Sequence, residues 1–254
     1  MKIFFFGRLL KNQMPISRRT LLQAGLIATT AGAGNAIAAA IPAPRESGLS
    51  FEGLLKHQPG FQPRQLAPLN PVEVPGFLSR PQLEQSYAVY RTAFANLLAI
   101  EKSLASASRD PDADAEYARL RRDQVTAANS VLLHEFYFRN LVSKPAAPSS
   151  YVLANMNEHM GSIESWRNDF IACARIAEAW AVLEYDPYDD RWHNAALGNV
   201  NGGGWIGANP LIVCAVADYA WSVDYKDRSA YVTAFLEHLN WTQVAERYRS
   251  VDRH

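Results

Sequence analysis

The sequence predicts an α+β protein, in which an N-terminal antiparallel helical hairpin precedes a subdomain of helices and a three-stranded antiparallel sheet. Two long segments repeat apolar side chains at three- and four-residue spacing, which is typical of amphipathic helices. Three short strand candidates follow further helical patterns, and helices grouped before strands favour α+β over alternating βα units. A proline-rich break at 144–148 separates the two parts.

Residues 1–38 have the features of a twin-arginine export signal. Arg18 and Arg19 follow Ser17 in an S-R-R-T-L-L-Q motif, and a short Gly/Ala-rich apolar run ends in an A-x-A cleavage site at 36–38. A membrane anchor is the alternative, but the run is short and interrupted by glycines, whereas a span needs about 20 apolar residues. We expect cleavage, a periplasmic or secreted location, and a soluble mature chain.

The net charge of the mature chain bears on its partners, and its two cysteines bear on a possible disulfide. The 254 residues include 25 basic and 25 acidic ones, and residues 1–38 hold five of the basic and none of the acidic ones. Their removal leaves a net charge near −5, which gives no reason to expect nucleic acid as a partner. A disulfide between Cys173 and Cys214 stays open in an oxidising compartment, although burial as small apolar residues is favoured.

The first half of the mature chain predicts an arm and then the hairpin. Residues 39–77 contain seven prolines and predict an extended arm on the surface. Residues 78–143 predict the hairpin, whose first helix begins at a Ser79 cap followed by Pro81 in the first turn. The loop 106–114 contains an R-D-P-D turn. The apolar seams of the two helices run through Leu83, Tyr87, Tyr90, Phe94, Leu97 and Leu104, and through Tyr117, Leu120, Ala127, Val131, His134, Phe138 and Leu141.

Residues 149–251 predict the α+β subdomain. Helical patterns cover about Val152–Asn157 and Ile163–Trp180, and two further helices close the chain. A D-P-Y-D turn separates the first two strand candidates. The strand candidates are Ala181–Tyr185, Trp192–Leu197 and Leu211–Val216.

Several motifs resemble those of the iron/manganese superoxide dismutases, in the order in which that family has them. They are Leu78-Ser79-x-x-x-Leu83-Glu84, His134-Glu135-Phe136-Tyr137, Gly161-Ser162-x-x-x-Trp166, Ala179-Trp180-x-Val182-Leu183, Pro210-Leu211, Asp224-Tyr225 and Asn240-Trp241. The likeness covers about 61–251 and implies the fold of that family. It also implies a site in which three imidazoles and one carboxylate hold iron or manganese, ligands that suit both metals.

In this chain the likeness places the four metal-ligand positions at Ser86, His134, Ala215 and Tyr219, and only His134 keeps the residue of the family. A serine hydroxyl is a poor ligand, and alanine cannot coordinate a metal. His134 and Tyr219 alone would form a two-point site of low affinity. We therefore expect no bound cofactor; iron or manganese would be the cofactor if the site were functional.

Positions that surround the metal in the family are changed as well. Tyr90 corresponds to one of a pair of histidines, and Phe94 corresponds to the gateway tyrosine. Asp218 and Ser222 correspond to a glutamate and a tyrosine that link the two subunits. Such outer partners matter nearly as much as the ligands. The likeness implies a homodimer, the changes at Asp218 and Ser222 weaken that expectation, and the sequence names no protein partner.

Three functions stay open at this point. An exported, metal-free pseudoenzyme is favoured. The alternatives are an active superoxide dismutase with an unconventional site, which would convert superoxide to O2 and H2O2, and a binding module that uses the vacated cavity or the strands at 192–205. His159 and His193 align with no ligand position, so a relocated metal site is the least favoured. The core neighbours expected for His134 are Tyr87, Tyr90 and Phe138.

Overall fold

The computed structural model describes residues 65–198 and 204–251 and confirms the α+β fold class. The predicted export signal and most of the predicted arm lie outside the described residues. The helices are α1 (Arg80–Ser106), α2 (Asp114–Asn140), α3 (Ser150–Met160), α4 (Ile163–Ile176), α5 (Arg228–Glu237) and α6 (Trp241–Val251). The strands are β1 (Trp180–Asp186), β2 (Arg191–Leu197) and β3 (Asn209–Ala215), and 3-10 turns occur at Pro111–Ala113 and Asp218–Ala220.

Helices α1 and α2 pair in antiparallel fashion. The Ser79 hydroxyl caps α1 by accepting from the Gln82 amide at 3.3 Å. Tyr87 faces Phe138 with ring centroids 6.2 Å apart, and at the other end of the hairpin the Arg109 guanidinium lies 5.0 Å from the Tyr117 ring. Contacts between the start of one helix and the end of the next define an antiparallel pair.

The start of α1 is bound to the loop that follows β3. The Asp224 carboxylate accepts from the Ser79 amide at 2.6 Å and from the Ser79 hydroxyl at 2.7 Å. The Gln82 side chain donates to the Tyr219 carbonyl at 2.7 Å and accepts from the Val223 amide at 2.8 Å. These bonds hold the 3-10 turn Asp218–Ala220 against the first two turns of α1.

The sheet has the antiparallel order β2-β1-β3. Trp180, the first residue of β1, pairs with Leu197 on β2 and with Ala215 on β3. A bulge lies between Leu183 and Glu184 in the pairing with β3. Pro210 is tolerated near the start of β3 because this strand is at the edge of the sheet, where a missing amide proton need not break a ladder.

Two predicted helix boundaries were wrong. The helix predicted over Ile163–Trp180 ends at Ile176, and Ala177 already has an extended backbone. The alanine-rich sequence favours helix locally, but the Ala179 carbonyl accepts from the Val216 amide at 2.8 Å, so sheet pairing prevails here. The helix predicted over Val152–Asn157 is longer, Ser150–Met160: the Ser149 hydroxyl caps its start, and it ends at Gly161, which has a positive φ of 82°.

A buried polar junction joins α2, β3 and α6. The Asn140 side-chain oxygen, which is fully buried, accepts from the Val213 amide and from the Arg247 guanidinium, both at 3.0 Å. Arg247 also donates to the carbonyls of Leu211 (2.8 Å) and Phe136 (3.3 Å). One arginine of α6 therefore satisfies acceptors from both α2 and β3.

Both cysteines are free thiols, and Cys214 is fully buried whereas Cys173 is half-buried. Across the described ranges, no helix is both long enough and apolar enough to span a membrane.

Candidate functional site

The fold brings three of the four predicted ligand positions into contact. Ser86 lies on α1, His134 on α2, and Tyr219 in the 3-10 turn after β3. The Ser86 hydroxyl is 3.3 Å from the Tyr219 carbonyl oxygen, and the rings of His134 and Tyr219 are stacked with centroids 5.6 Å apart. Ala215 ends β3 opposite Trp180, whose ring meets His134 edge-on at 4.8 Å. Residues distant in sequence thus surround His134.

Three of the four positions offer little to a metal ion. The single hydroxyl proton of Ser86 is shared between the carbonyls of Gln82 and Tyr219, each at 3.3 Å. Ala215 is fully buried and has only a methyl side chain. Burial raises the pKa of the Tyr219 phenol far above its usual value, so this side chain stays protonated at neutral pH.

His134 is neutral and has a defined tautomer. Its Nδ1 lies 2.7 Å from the Ser130 carbonyl, which can only accept, so Nδ1 carries the proton and Nε2 the lone pair. The side chain is 1% exposed, and within 65–198 and 204–251 Nε2 has no hydrogen-bond partner. Burial lowers the pKa of His134 from 6.5 to about 4. The site therefore contains one unused acceptor in an apolar setting.

Aromatic rings surround this imidazole. Besides Trp180 and Tyr219, Tyr90 and Phe138 lie 6.0 and 6.3 Å from the His134 ring centroid. The Tyr87 ring, which was expected beside His134, contacts Tyr90 and Phe138 instead. Aromatic rings from four residues therefore surround the His134 imidazole.

The four positions that surround the metal in the family, Tyr90, Phe94, Asp218 and Ser222, divide into two buried and two exposed ones. The Tyr90 hydroxyl donates to the Glu135 carboxylate at 2.9 Å and accepts from the Ala67 amide at 3.1 Å. Phe94 is buried against Tyr90, with centroids 6.2 Å apart. Asp218 and Ser222, in contrast, are exposed.

A cleft of about 1370 Å³ extends from His134 towards the surface. His134 and Trp180 are buried at its deep end, while Ile206 and Val125 are exposed at its rim. Other lining residues come from β1 and from the segment before β3.

Comparison with known proteins identifies the family. Residues 148–247 match the model of the C-terminal domain of iron/manganese superoxide dismutases. The iron superoxide dismutase of Aquifex pyrophilus is 30% identical over 150 residues, which cover 58% of this chain and 70% of that protein. The chain belongs to the iron/manganese superoxide dismutase family. The likeness inferred from the sequence motifs is confirmed.

Two other superoxide dismutases match a shorter part of the chain. Manganese superoxide dismutase 1 of Halobacterium salinarum is 31% identical over 121 residues, 46% of this chain and 60% of that protein. The iron superoxide dismutase of Cupriavidus metallidurans is 28% identical over 138 residues, 53% of this chain and 69% of that protein. The match thus spans about 60% of the length of the halobacterial relative.

The metal that superoxide dismutases of this family use does not fit the residues around His134. Iron and manganese sites are built from several nitrogen and oxygen ligands, and here His134 offers a single nitrogen. In the part of the chain that the structure describes, no group of three His, Cys, Asp or Glu side chains converges on His134. An ion would therefore carry uncompensated charge among aromatic rings, which is strongly unfavourable.

One group of potential ligands was missed in the sequence. Asp186, Asp189 and His193 lie at the turn of the β1–β2 hairpin, and their ligand atoms are within 4.8 Å of one another. His193 Nε2 is 2.8 Å from the Asp189 carboxylate, a hydrogen bond that accounts for the proximity of these two. The sequence feature that could have indicated this group is the spacing of two aspartates and a histidine around a tight turn. The group is at the far end of β1 from Trp180, so it is not the family's site.

The buried His134 predicts that stability depends on pH. Between pH 6.5 and 4 the unfolded chain binds a proton at His134 and the folded chain does not, so stability falls as pH falls through this window. The shift corresponds to a loss of about 3 kcal/mol by pH 4. Urea unfolding of the wild-type chain and of His134→Gln at pH 7 and pH 4.5 checks this. Equal losses in the two proteins would contradict it.

Proposed function

We propose that this chain is an exported, metal-free member of the superoxide dismutase family that acts as a binding or scaffold protein. The observation that carries the proposal is the state of the four ligand positions. Ser86 is engaged with backbone carbonyls, Ala215 has no donor, Tyr219 is a protonated phenol, and His134 alone keeps a free ligand atom. Such a site has neither the charge nor the donor count for iron or manganese.

Outer positions support the same proposal. Phe94 has no hydroxyl to donate a proton at the position of the family's gateway tyrosine, and it is buried against Tyr90. Asp218 and Ser222 are exposed, and the homodimer that family membership implies stays a prediction. The relatives are named as dismutases; the difference lies in the ligand positions.

Superoxide turnover tests the proposal. The purified chain, refolded or incubated with Fe(II) or Mn(II), is assayed beside the Aquifex pyrophilus enzyme prepared in the same way. We expect turnover at the level of buffer containing the same free metal. Turnover that co-purifies with the folded chain and disappears in His134→Phe would favour an active dismutase with an unconventional site instead.

Export is the second part of the proposal, and the sequence of residues 1–38 supports it. We expect Arg18→Lys/Arg19→Lys to remain in the cytoplasm as an uncleaved precursor, because the twin arginines address the export machinery. Cell fractionation with immunoblotting measures this, with Arg8→Lys as the matched control. Normal cleavage and export of the double variant would contradict a twin-arginine route.

A further inference from the structure

The cleft beside His134 is large enough for a small molecule, and much of its wall is apolar. Its volume of about 1370 Å³ exceeds the 300–1,000 Å³ typical of ligand pockets. Trp180 and Leu133 form part of the apolar wall near His134, and Trp205 and Ile206 continue it towards the surface. Trp205 is 47% exposed and Ile206 wholly exposed, which is unusual for such large side chains.

At the deep end, the unused acceptor of His134 specifies what a ligand must supply. Because Nδ1 donates to the Ser130 carbonyl, Nε2 presents a lone pair. Within the ranges described, no protein group donates to it. A buried acceptor without a partner costs about 1–3 kcal/mol, so a ligand that donates an O–H or N–H here would gain affinity.

Five charged side chains line the cleft, namely Arg121, Arg122, Glu178, Glu184 and Arg247. Arg122 and Glu178 are exposed, and Arg121 donates to Tyr117 and Gln124. Glu184 and Arg247 are engaged within the protein as well, so the interior of the cleft favours a neutral ligand. Arg247 uses its guanidinium on Asn140, Leu211 and Phe136. The buried Glu184 carboxylate accepts from the Trp205 amide at 3.3 Å, and burial raises its pKa.

Aromatic side chains in the walls near His134 favour an aromatic ligand. The Tyr219 ring is stacked on His134, and the Trp180 ring stands edge-on to it. Aromatic rings bind other aromatic rings in these two arrangements.

We propose that this cleft binds a neutral, largely aromatic molecule whose hydroxyl or N–H group donates to Nε2 of His134. The proposal rests on the proposed absence of a metal, because an ion at the family's site would occupy the same lone pair. It goes beyond the proposed function by naming the class of ligand, namely aromatic compounds that carry a hydroxyl or N–H group.

A matched pair of probes tests the donor. Isothermal titration calorimetry compares 2-naphthol with 2-methoxynaphthalene, which has the same ring system and no donor, on the full-length chain at pH 7. We expect 2-naphthol to bind about tenfold more tightly, the upper range for one hydrogen bond to a buried acceptor. In His134→Phe that preference should vanish, whereas Arg175→Met, at an exposed position that does not line the cleft, should keep it.

Equal affinity for the two probes, or no binding of either, would refute the proposal that the cleft binds a hydrogen-bond-donating aromatic molecule. If His134→Phe does not fold, His134→Leu, which also removes the acceptor, takes its place and should likewise lose the preference. Metal analysis of the same sample keeps the two proposals separate. Metal-free protein that fails to prefer 2-naphthol refutes only the ligand, whereas stoichiometric iron or manganese refutes the metal-free function.

Discussion

The triple variant Ser86→His/Ala215→Asp/Tyr219→His is expected to bind iron or manganese at least about 100-fold more tightly than the natural chain, since a single outer partner alone can change metal affinity 10–100-fold. The variant adds two imidazoles and one carboxylate beside His134, which completes the set of three imidazoles and one carboxylate. The backbone is in place: Ser86 contacts the Tyr219 turn, and Ala215 lies opposite Trp180, which touches His134. Equilibrium dialysis with metal analysis measures the gain.

The control makes three changes at the same positions without adding a ligand. Ser86→Ala/Ala215→Ser/Tyr219→Phe should bind no more metal than the wild-type chain. If the folded triple variant with histidines and aspartate also failed to gain affinity, these positions would not be the equivalents of the family's ligands.

Replacement of Arg247 by methionine should lower the free energy of unfolding by about 3 kcal/mol, because three acceptors lose a donor worth about 1 kcal/mol each. The acceptors are the side-chain oxygen of Asn140 and the carbonyls of Leu211 and Phe136, at 2.8–3.3 Å. The guanidinium also lies 4.6 Å from the centre of the Phe136 ring. Urea unfolding at neutral pH measures the change.

Arg175→Met is the matched control, since Arg175 is an exposed arginine in the last turn of α4. We expect a change within about 0.5 kcal/mol there, as is usual for surface substitutions. A loss of less than about 1 kcal/mol in Arg247→Met would mean that water satisfies these carbonyls as well as the arginine does.

Local sequence signals were sufficient to predict the helical hairpin and the approximate positions of the three strands. Ser79 followed by Pro81 marks the start of α1, and the cap bond to the Gln82 amide is present. Long-range pairing was not visible in sequence. Residues up to Trp180 have a helical pattern, yet the backbone groups of Ala179 and Trp180 pair with segments distant in sequence, at β2 and at β3 and the residue after it.

The sequence predicted which residues meet at the candidate site, but it did not predict how their side chains pack there. Family likeness named Ser86, His134 and Tyr219, and these meet in the fold. That Tyr219 would stack on His134, and that Nε2 would stay without a partner in the described residues, depends on side-chain packing that no local pattern encodes. The Asp186, Asp189 and His193 group was missed for a related reason, since hairpin pairing creates it.

The metal content of the wild-type chain, purified after export and without added metal, tests the central claim most directly. Inductively coupled plasma mass spectrometry on folded protein gives the number of ions per chain. Because Ser86, Ala215 and Tyr219 occupy three of the four ligand positions, we expect far less than one iron or manganese ion per chain. One iron or manganese ion per folded chain, lost in His134→Phe, would contradict the claim that this family member has given up its metal.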